Sequence, residues 1–193
     1  MDLSLNEYAS LIKQAALGGG LPWGIAEEAG FAAKWLAARG VPFAEGFADL
    51  LASASESVGG GPGSPLTLGP MLSDAPETIA TGLSHEVLRP LVLAPFCAAV
   101  ASVSRRAVVV DWAGGGFATD GLDLWTRDAG ITSAMVTIRH DRSPDFAALS
   151  CASRADIRPD DHAALHGHAA RMLAPATEES RRLGAGSSLS DND

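Results

Sequence analysis

Ala107-Val108-Val109-Val110-Asp111-Trp112 is the stretch on which the fold reading turns. Three successive valines beside turn-forming residues spell a β-strand, because a branched Cβ is crowded in a helix and packs well on a pleated surface. Gly114-Gly115-Gly116 follows, and a strand pattern resumes beyond it. The glycines therefore read as a hairpin turn and not as a phosphate-binding loop, which needs a helix next. Asp120-Gly121 supplies another turn. Leu122 to Thr126 and Ala134 to Arg139 alternate apolar and polar residues, which predicts two more strands, each with one buried face. Phe146 to Ala152 reads as a fourth strand. The short connections predict antiparallel pairing.

Helical patterns flank this region. Ser4-Leu5-Asn6-Glu7 reads as a capping box, followed by Leu5, Tyr8, Ala9, Ile12 and Ala16 on one face. Gly18-Gly19-Gly20 ends that helix. Pro22 opens a second helix, with Ile25, Ala29, Ala32, Ala33 and Leu36 inward and Gly40 as its stop. Pro42 opens a third, with Phe43, Phe47, Leu50 and Leu51. At the far end, Pro159-Asp160-Asp161 predicts a helix start, since proline suits the first turn and carboxylates favour the positive end of the dipole.

The expected organisation is one domain over residues 1–193. It comprises a helical front (4–54), a loop (55–85), a β-rich middle (86–155), and a helix and tail (156–193). The prolines at 65, 70 and 76 and the glycines around 60 mark the second segment as an exposed loop with at most one short strand. Residues 87–103 read as strand or helix, with Pro90 and Pro95 against a long helix. The front alone is too small to bury a sufficient core, which favours one domain. The fold class expected is α+β: an N-terminal helical unit, a central mainly antiparallel sheet, and a C-terminal helix with an irregular tail. The helices lie on one face of the sheet.

Bulk chemistry narrows the partners. The formal net charge is −9, and no local Lys/Arg cluster reverses it. Such a chain repels phosphate backbones, so no nucleic-acid partner is expected. The longest apolar run is too short and too broken for a membrane span, and Met1-Asp2-Leu3-Ser4 lacks the form of a signal peptide. A cytoplasmic protein is expected. Cys97 and Cys151 both lie in apolar runs and read as buried thiols in a reducing compartment.

The two ends carry a resemblance. The front reads Ser4-Leu5-Asn6-Glu7, then Pro22-Trp23-Gly24-Ile25-Ala26-Glu27-Glu28-Ala29. The back reads Ala174-Pro175-Ala176-Thr177-Glu178-Glu179-Ser180-Arg181, then Gly184-Ala185-Gly186, closing on Leu189-Ser190-Asp191-Asn192-Asp193. The chain resembles a proteobacterial family of about 200 residues catalogued as a domain of unknown function. The resemblance implies a small cytoplasmic protein and no particular reaction. The opening helix pair up to Ala38-Arg39-Gly40 is also similar in pattern to the malate/lactate dehydrogenase family that is not Rossmann-like. That family's Ser-His-Gly motif is replaced here by Val41-Pro42-Phe43, so no dehydrogenase activity is carried over.

Three polar clusters could carry chemistry. Ser180 and Arg181, with Gly184 and Gly186 beyond, could grip an anion through guanidinium and backbone donors. Asp191, Asn192 and Asp193 add hard oxygen donors, although a disordered tail is the plainer reading of such composition. Trp23 with Glu27 and Glu28 offers a stacking surface and an acid/base candidate, against a packing tryptophan and glutamates that merely favour the helix dipole. His162, His166 and His168 read as solvated histidines, and no metal site is expected from them. Ser84-His85-Glu86 reads as a helix or loop start, since adjacent residues do not form a triad.

The function expected is binding or catalysis on a small anionic metabolite near the tail. Glu27 or Glu28 is the catalytic candidate, and Trp23, Ser180, Arg181, Gly184, Gly186, Asp191, Asn192 and Asp193 are the ligand-binding candidates. No cofactor is named. The alternative is a non-catalytic accessory or assembly subunit, a homo-oligomer or the partner of another chain, held through Ala-rich helix faces.

Overall fold

A computed structural model of the chain describes residues 1–54, 63–127, 130–142, 144 and 148–172. Ser4 caps the first helix as its sequence requires. Glu7 N donates to Ser4 Oγ at 3.2 Å, and Ser4 N donates to Glu7 Oε2 at 2.8 Å. Helix α1 (Leu5–Gly18) follows, then α2 (Trp23–Ala37) and α3 (Ala44–Ala54). The wholly buried Tyr8 donates its hydroxyl to Pro42 O, which fixes the connection into α3.

The expected loop contains a helix. Residues Pro65–Asp74 form α4, and Pro76–Thr81 form a 3-10 segment. Pro65 occupies the first turn, where its missing N–H has no intrahelical partner to lose. Read as breakers, these prolines instead begin helical segments, and only Pro70 lies inside one. The ambiguous run after residue 87 divides. Strand β2 (Leu83–Leu88) ends it on one side, and helix α5 (Ala94–Ser104), with Pro95 in its first turn, fills the other.

The sheet is antiparallel throughout. Strands β3 (Ala107–Trp112), β4 (Gly115–Thr119), β5 (Leu124–Arg127) and β6 (Ser133–Asp141) join β2 in the order β2-β6-β3-β4-β5. Gly114, at φ +87°, makes the β3–β4 turn as expected. Val108, Val110, Phe117, Leu124, Val136 and Ile138 are buried on the inner face, above the apolar α5. Ser84, Glu86, Met135 and Thr137 are exposed on the outer one. The architecture is α+β.

Of the expected fourth strand, the described residues 148–152 belong to no sheet, and 146–147 lie outside the described residues. A short strand β7 (Arg154–Asp156) follows them and pairs with β1 (Asp2–Ser4), with Leu3 opposite Ala155. Arg154 Nε donates to Asp2 Oδ2 at 2.6 Å across this pair. The last helix, α6 (Pro159–Ala170), then crosses α1. A Cβ on Gly18 would lie 1.9 Å from His168 O, so only glycine admits this crossing. The three front helices form a four-helix layer with α6, which packs on α1 and α3. One cluster of buried apolar side chains runs from α1 and α2 through α5 to the sheet.

Arg89 joins the layers. It holds a left-handed φ of 44°, rare for a residue with a Cβ. Its backbone N–H donates to Thr132 O at 2.7 Å. The guanidinium, only 9% exposed, donates to Asp49 of α3 and lies 3.8 Å from Glu45. Nε has no partner among the described residues. Removing the half-exposed Asp49 would leave a buried cation with the Gly130 carbonyl at 3.4 Å and, among the described carboxylates, the more distant Glu45. Asp49→Ala is expected to lower the unfolding free energy by about 2 kcal/mol, below the full cost of breaking a wholly buried pair because solvent reaches the acidic side. Urea denaturation reads this, and an unchanged midpoint would show the pair to be dispensable.

Candidate functional site

The first two helices share a seam of small residues. Helix α2 buries Ala26, Ala29, Gly30, Ala32, Ala33, Leu36 and Ala37, which lets its backbone lie close to α1. A Cβ on Gly30 would stand 3.0 Å from Ala9 O and 3.3 Å from Lys13 Cβ. The outward side of α2 is different. Trp23, Glu27, Phe31 and Trp35 recur every fourth residue, so they form one stripe. Trp23 is 61% exposed and Phe31 46%, large values for aromatic side chains.

A groove opens between that stripe and α1. Its near part, about 650 Å³ and open to solvent, is lined by Asn6, Ser10, Lys13, Glu27, Phe31 and Lys34. A second part, about 560 Å³, continues along α2 past Trp35 and Arg39. Phe31 and Lys34 border both. Phe31 is braced from below, its ring meeting Phe96 of α5 edge-on at 6.0 Å.

The charges in the groove are unequally committed. Lys13 Nζ lies 2.8 Å from Glu27 Oε1 and 4.2 Å from the centre of the Trp23 ring. Arg39 stacks on Trp35 at 3.5 Å and donates Nε to Leu122 O at 2.8 Å. Lys34 makes no ion pair with a described residue. Lys13 and Lys34 are the two lysines of the chain, so both lie on this groove.

The three described candidates from the sequence therefore separate. Trp23 and Glu27 meet through Lys13 at one end of the groove. The hydrogen bond from Lys13, and then its charge, hold the Glu27 carboxyl below its ordinary range. Glu28 takes another direction around α2, toward Asp74 of α4. Burial first, then repulsion from Asp74 and Glu27, raises its carboxyl. Ser180, Arg181, Gly184, Gly186, Asp191, Asn192 and Asp193 lie outside the described residues. Lys13, Phe31, Lys34 and Trp35 were not singled out by the sequence reading. The available signal was the rarity of lysine and its coincidence with the aromatic stripe.

Other motifs resolve plainly. Ser84, His85 and Glu86 lie on strand β2, not at a helix or loop start, so His85 faces away from its two neighbours. The His162 and His166 rings are 5.9 Å apart, while Asp161 is engaged by Arg158 at 2.8 Å. Among the described residues no group of three or more histidine, cysteine, aspartate or glutamate side chains could hold a metal ion. Cys97 is buried, with its thiol pushed up to about 12, but Cys151 is exposed, contrary to expectation. It lies within the irregular residues 148–153, where side chains need not point inward.

These features define an α+β protein with a cationic, aromatic groove on its helical layer. Residues 3–67 match the model of a family described as a protein of unknown function (DUF3726). That segment holds α1, α2 and every residue of the groove, whereas the tail lies beyond it. No curated protein and no solved structure matches the chain. No helix among the described residues is long and apolar enough to cross a membrane.

The raised Glu28 carboxyl has a pH consequence. A carboxyl whose folded-state pKa lies above its unfolded value opposes folding once ionised, and the handicap disappears below about pH 4, where both states are protonated. Glu28→Gln is therefore expected to raise the melting temperature at pH 7 and to leave it unchanged near pH 3. Equal gains at both values would point to a cause other than charge.

Proposed function

We propose that the α1–α2 groove binds a small organic anion carrying a planar group. The observation that carries this reading is Lys34, a cation without an ion-pair partner among the described residues, beside the exposed ring of Phe31 at the junction of both cavities. In a chain of net charge −9, placing both lysines here makes the groove a local exception to the acidic surface. A phosphate or carboxylate would take a charge-assisted hydrogen bond from Lys34, and a flat ring would lie against Phe31 or Trp35.

Binding fits the groove better than proton transfer does. Glu27 is held ionised by Lys13, and a carboxylate with a lowered pKa is a weak base. Of the two glutamates, Glu28 has the shift suited to acid/base work, yet it faces α4. The unpaired thiols Cys97 and Cys151 support a reducing, cytoplasmic setting for this activity. A protein seated on the same exposed stripe is the competing reading. It would bury Trp23 in a complex whose mass light scattering reads.

The test uses 1-naphthyl phosphate as the probe and the indole N–H resonances of the four tryptophans as reporters. Saturable shifts at Trp23 and Trp35 are expected. Lys34→Ala should weaken binding about tenfold, the order of one hydrogen bond to a charged group. Arg106→Ala, a change at an exposed residue between α5 and β3 that does not line the groove, should leave binding unaltered. No saturable shift, or equal losses from both variants, would sink the proposal.

A further inference from the structure

The outward face of the sheet carries a second concavity, set by strand register. Val109 on β3 lies opposite Ala118 on β4, which lies opposite Trp125 on β5. Two residues along, Asp111 lies opposite Gly116 and Gly116 opposite Arg127. Both rows have the same arrangement, with a small residue on the middle strand between larger side chains on its neighbours. The result is a trench along β4, with an apolar half at Val109, Ala118 and Trp125 and a charged half at Asp111 and Arg127. Pro144, with Phe117 and Thr126, completes the lining.

The trench depends on Gly116. A Cβ there would stand 2.7 Å from Val110 O and 3.0 Å from Asp111 Oδ1. The space amounts to about 370 Å³ when the open solvent above it is included, so the trench is shallow. It suits one ring and a short side chain.

The charges at the polar half identify the head group. Asp111 Oδ2 accepts from Arg139 Nη2 at 2.7 Å, and Arg139 also binds Asp141. Arg127 Nη2 lies 3.8 Å from Asp111 Oδ1, beyond hydrogen-bond distance. Asp111 is thus taken by Arg139. The Arg127 side chain, 71% exposed, makes no hydrogen bond to another described residue, so its donors can serve a ligand. A guanidinium fork at the end of an apolar slot matches a carboxylate.

We propose that this trench is a separate binding site for a small aromatic monocarboxylate. Its ring lies along β4 against Trp125 and its carboxylate is on Arg127. The site is independent of the α1–α2 groove, since it shares no residue with it and lies on the opposite side of α5.

Phenylacetate is the probe, with 2-phenylethanol as the neutral analogue of similar shape. Heteronuclear NMR of the full chain reads the Trp125 indole and the Gly116 and Ala118 amides. Saturable shifts at these groups are expected with phenylacetate. Arg127→Gln, at an exposed position that leaves the fold intact, should weaken phenylacetate about tenfold and leave 2-phenylethanol unchanged. The absence of saturable shifts at Trp125, or an affinity that Arg127→Gln does not alter, overturns the proposal. Trp23 and Trp35 report the groove in the same spectra, so failure of either site is distinguishable from failure of the other.

Discussion

The close approach of α1 and α2 is the constraint from which the helical layer follows. At Gly30 the two backbones lie so close that a Cβ would stand 3.0 Å from the Ala9 carbonyl, a contact tolerated only if a neighbour gave way. One turn along α1, Lys13 is thereby brought to both Glu27 and Trp23. The opposite side of α1 carries Tyr8, Leu11, Ile12, Ala15 and Ala16 into the core. Gly18 repeats the device where α6 crosses, with the His168 carbonyl as the neighbour. Large residues at either glycine would push the helices apart, and the groove is simply the open side of the tight seam. Alanine-rich packing has a further effect: small side chains lose little entropy on burial, so the seam is favourable despite its modest apolar area.

Charge is distributed with a division of labour between arginine and lysine. Four arginines make fixed contacts. Arg154 ties β7 to Asp2, Arg158 joins Asp161 to Glu45, Arg139 holds Asp111, and Arg89 anchors the sheet to α3. A planar fork with several donors suits such two-ended attachments. The lysines share one groove. A compact charge on a flexible stem can follow a ligand where a stacked guanidinium cannot, which sets Lys34 apart from Arg39 on the same stripe.

Local chemistry made part of this fold legible in the sequence. The Ser4–Glu7 capping box, the Gly114 turn and the Pro159 start of α6 each involve neighbours within a few residues, and each has the expected geometry. The misread elements depend on distant partners. The β1–β7 pair joins residues some 150 positions apart, and three-residue strands leave almost no periodic pattern. The insertion of β6 between β2 and β3 is likewise a matter of long-range pairing. Prolines misled for a different reason. Pro65, Pro76, Pro90 and Pro95 all sit in first turns, where proline is favoured, so their clustering signalled several helix starts and not one long loop. At the candidate site, Trp23 and Glu27 were visible as neighbours on one helix. Lys13 was not, because its place beside them is set by the packing of α1 on α2.

The two glutamates show why adjacency in sequence is a poor guide to a shared role. Successive helical residues differ by about 100° in direction, so Glu27 and Glu28 face different helices. One meets a lysine and is held ionised; the other meets burial and an aspartate and is pushed toward its neutral form. Environments that drive two carboxyls apart can divide acid and base duties when both face one cavity. Here Glu27 lines the groove and Glu28 does not. The groove therefore presents cations, aromatic rings and an ion-paired carboxylate to whatever enters it. Such a set of groups suits the anion binding proposed for it, and Glu28, whose carboxyl burial pushes up, stands outside the groove.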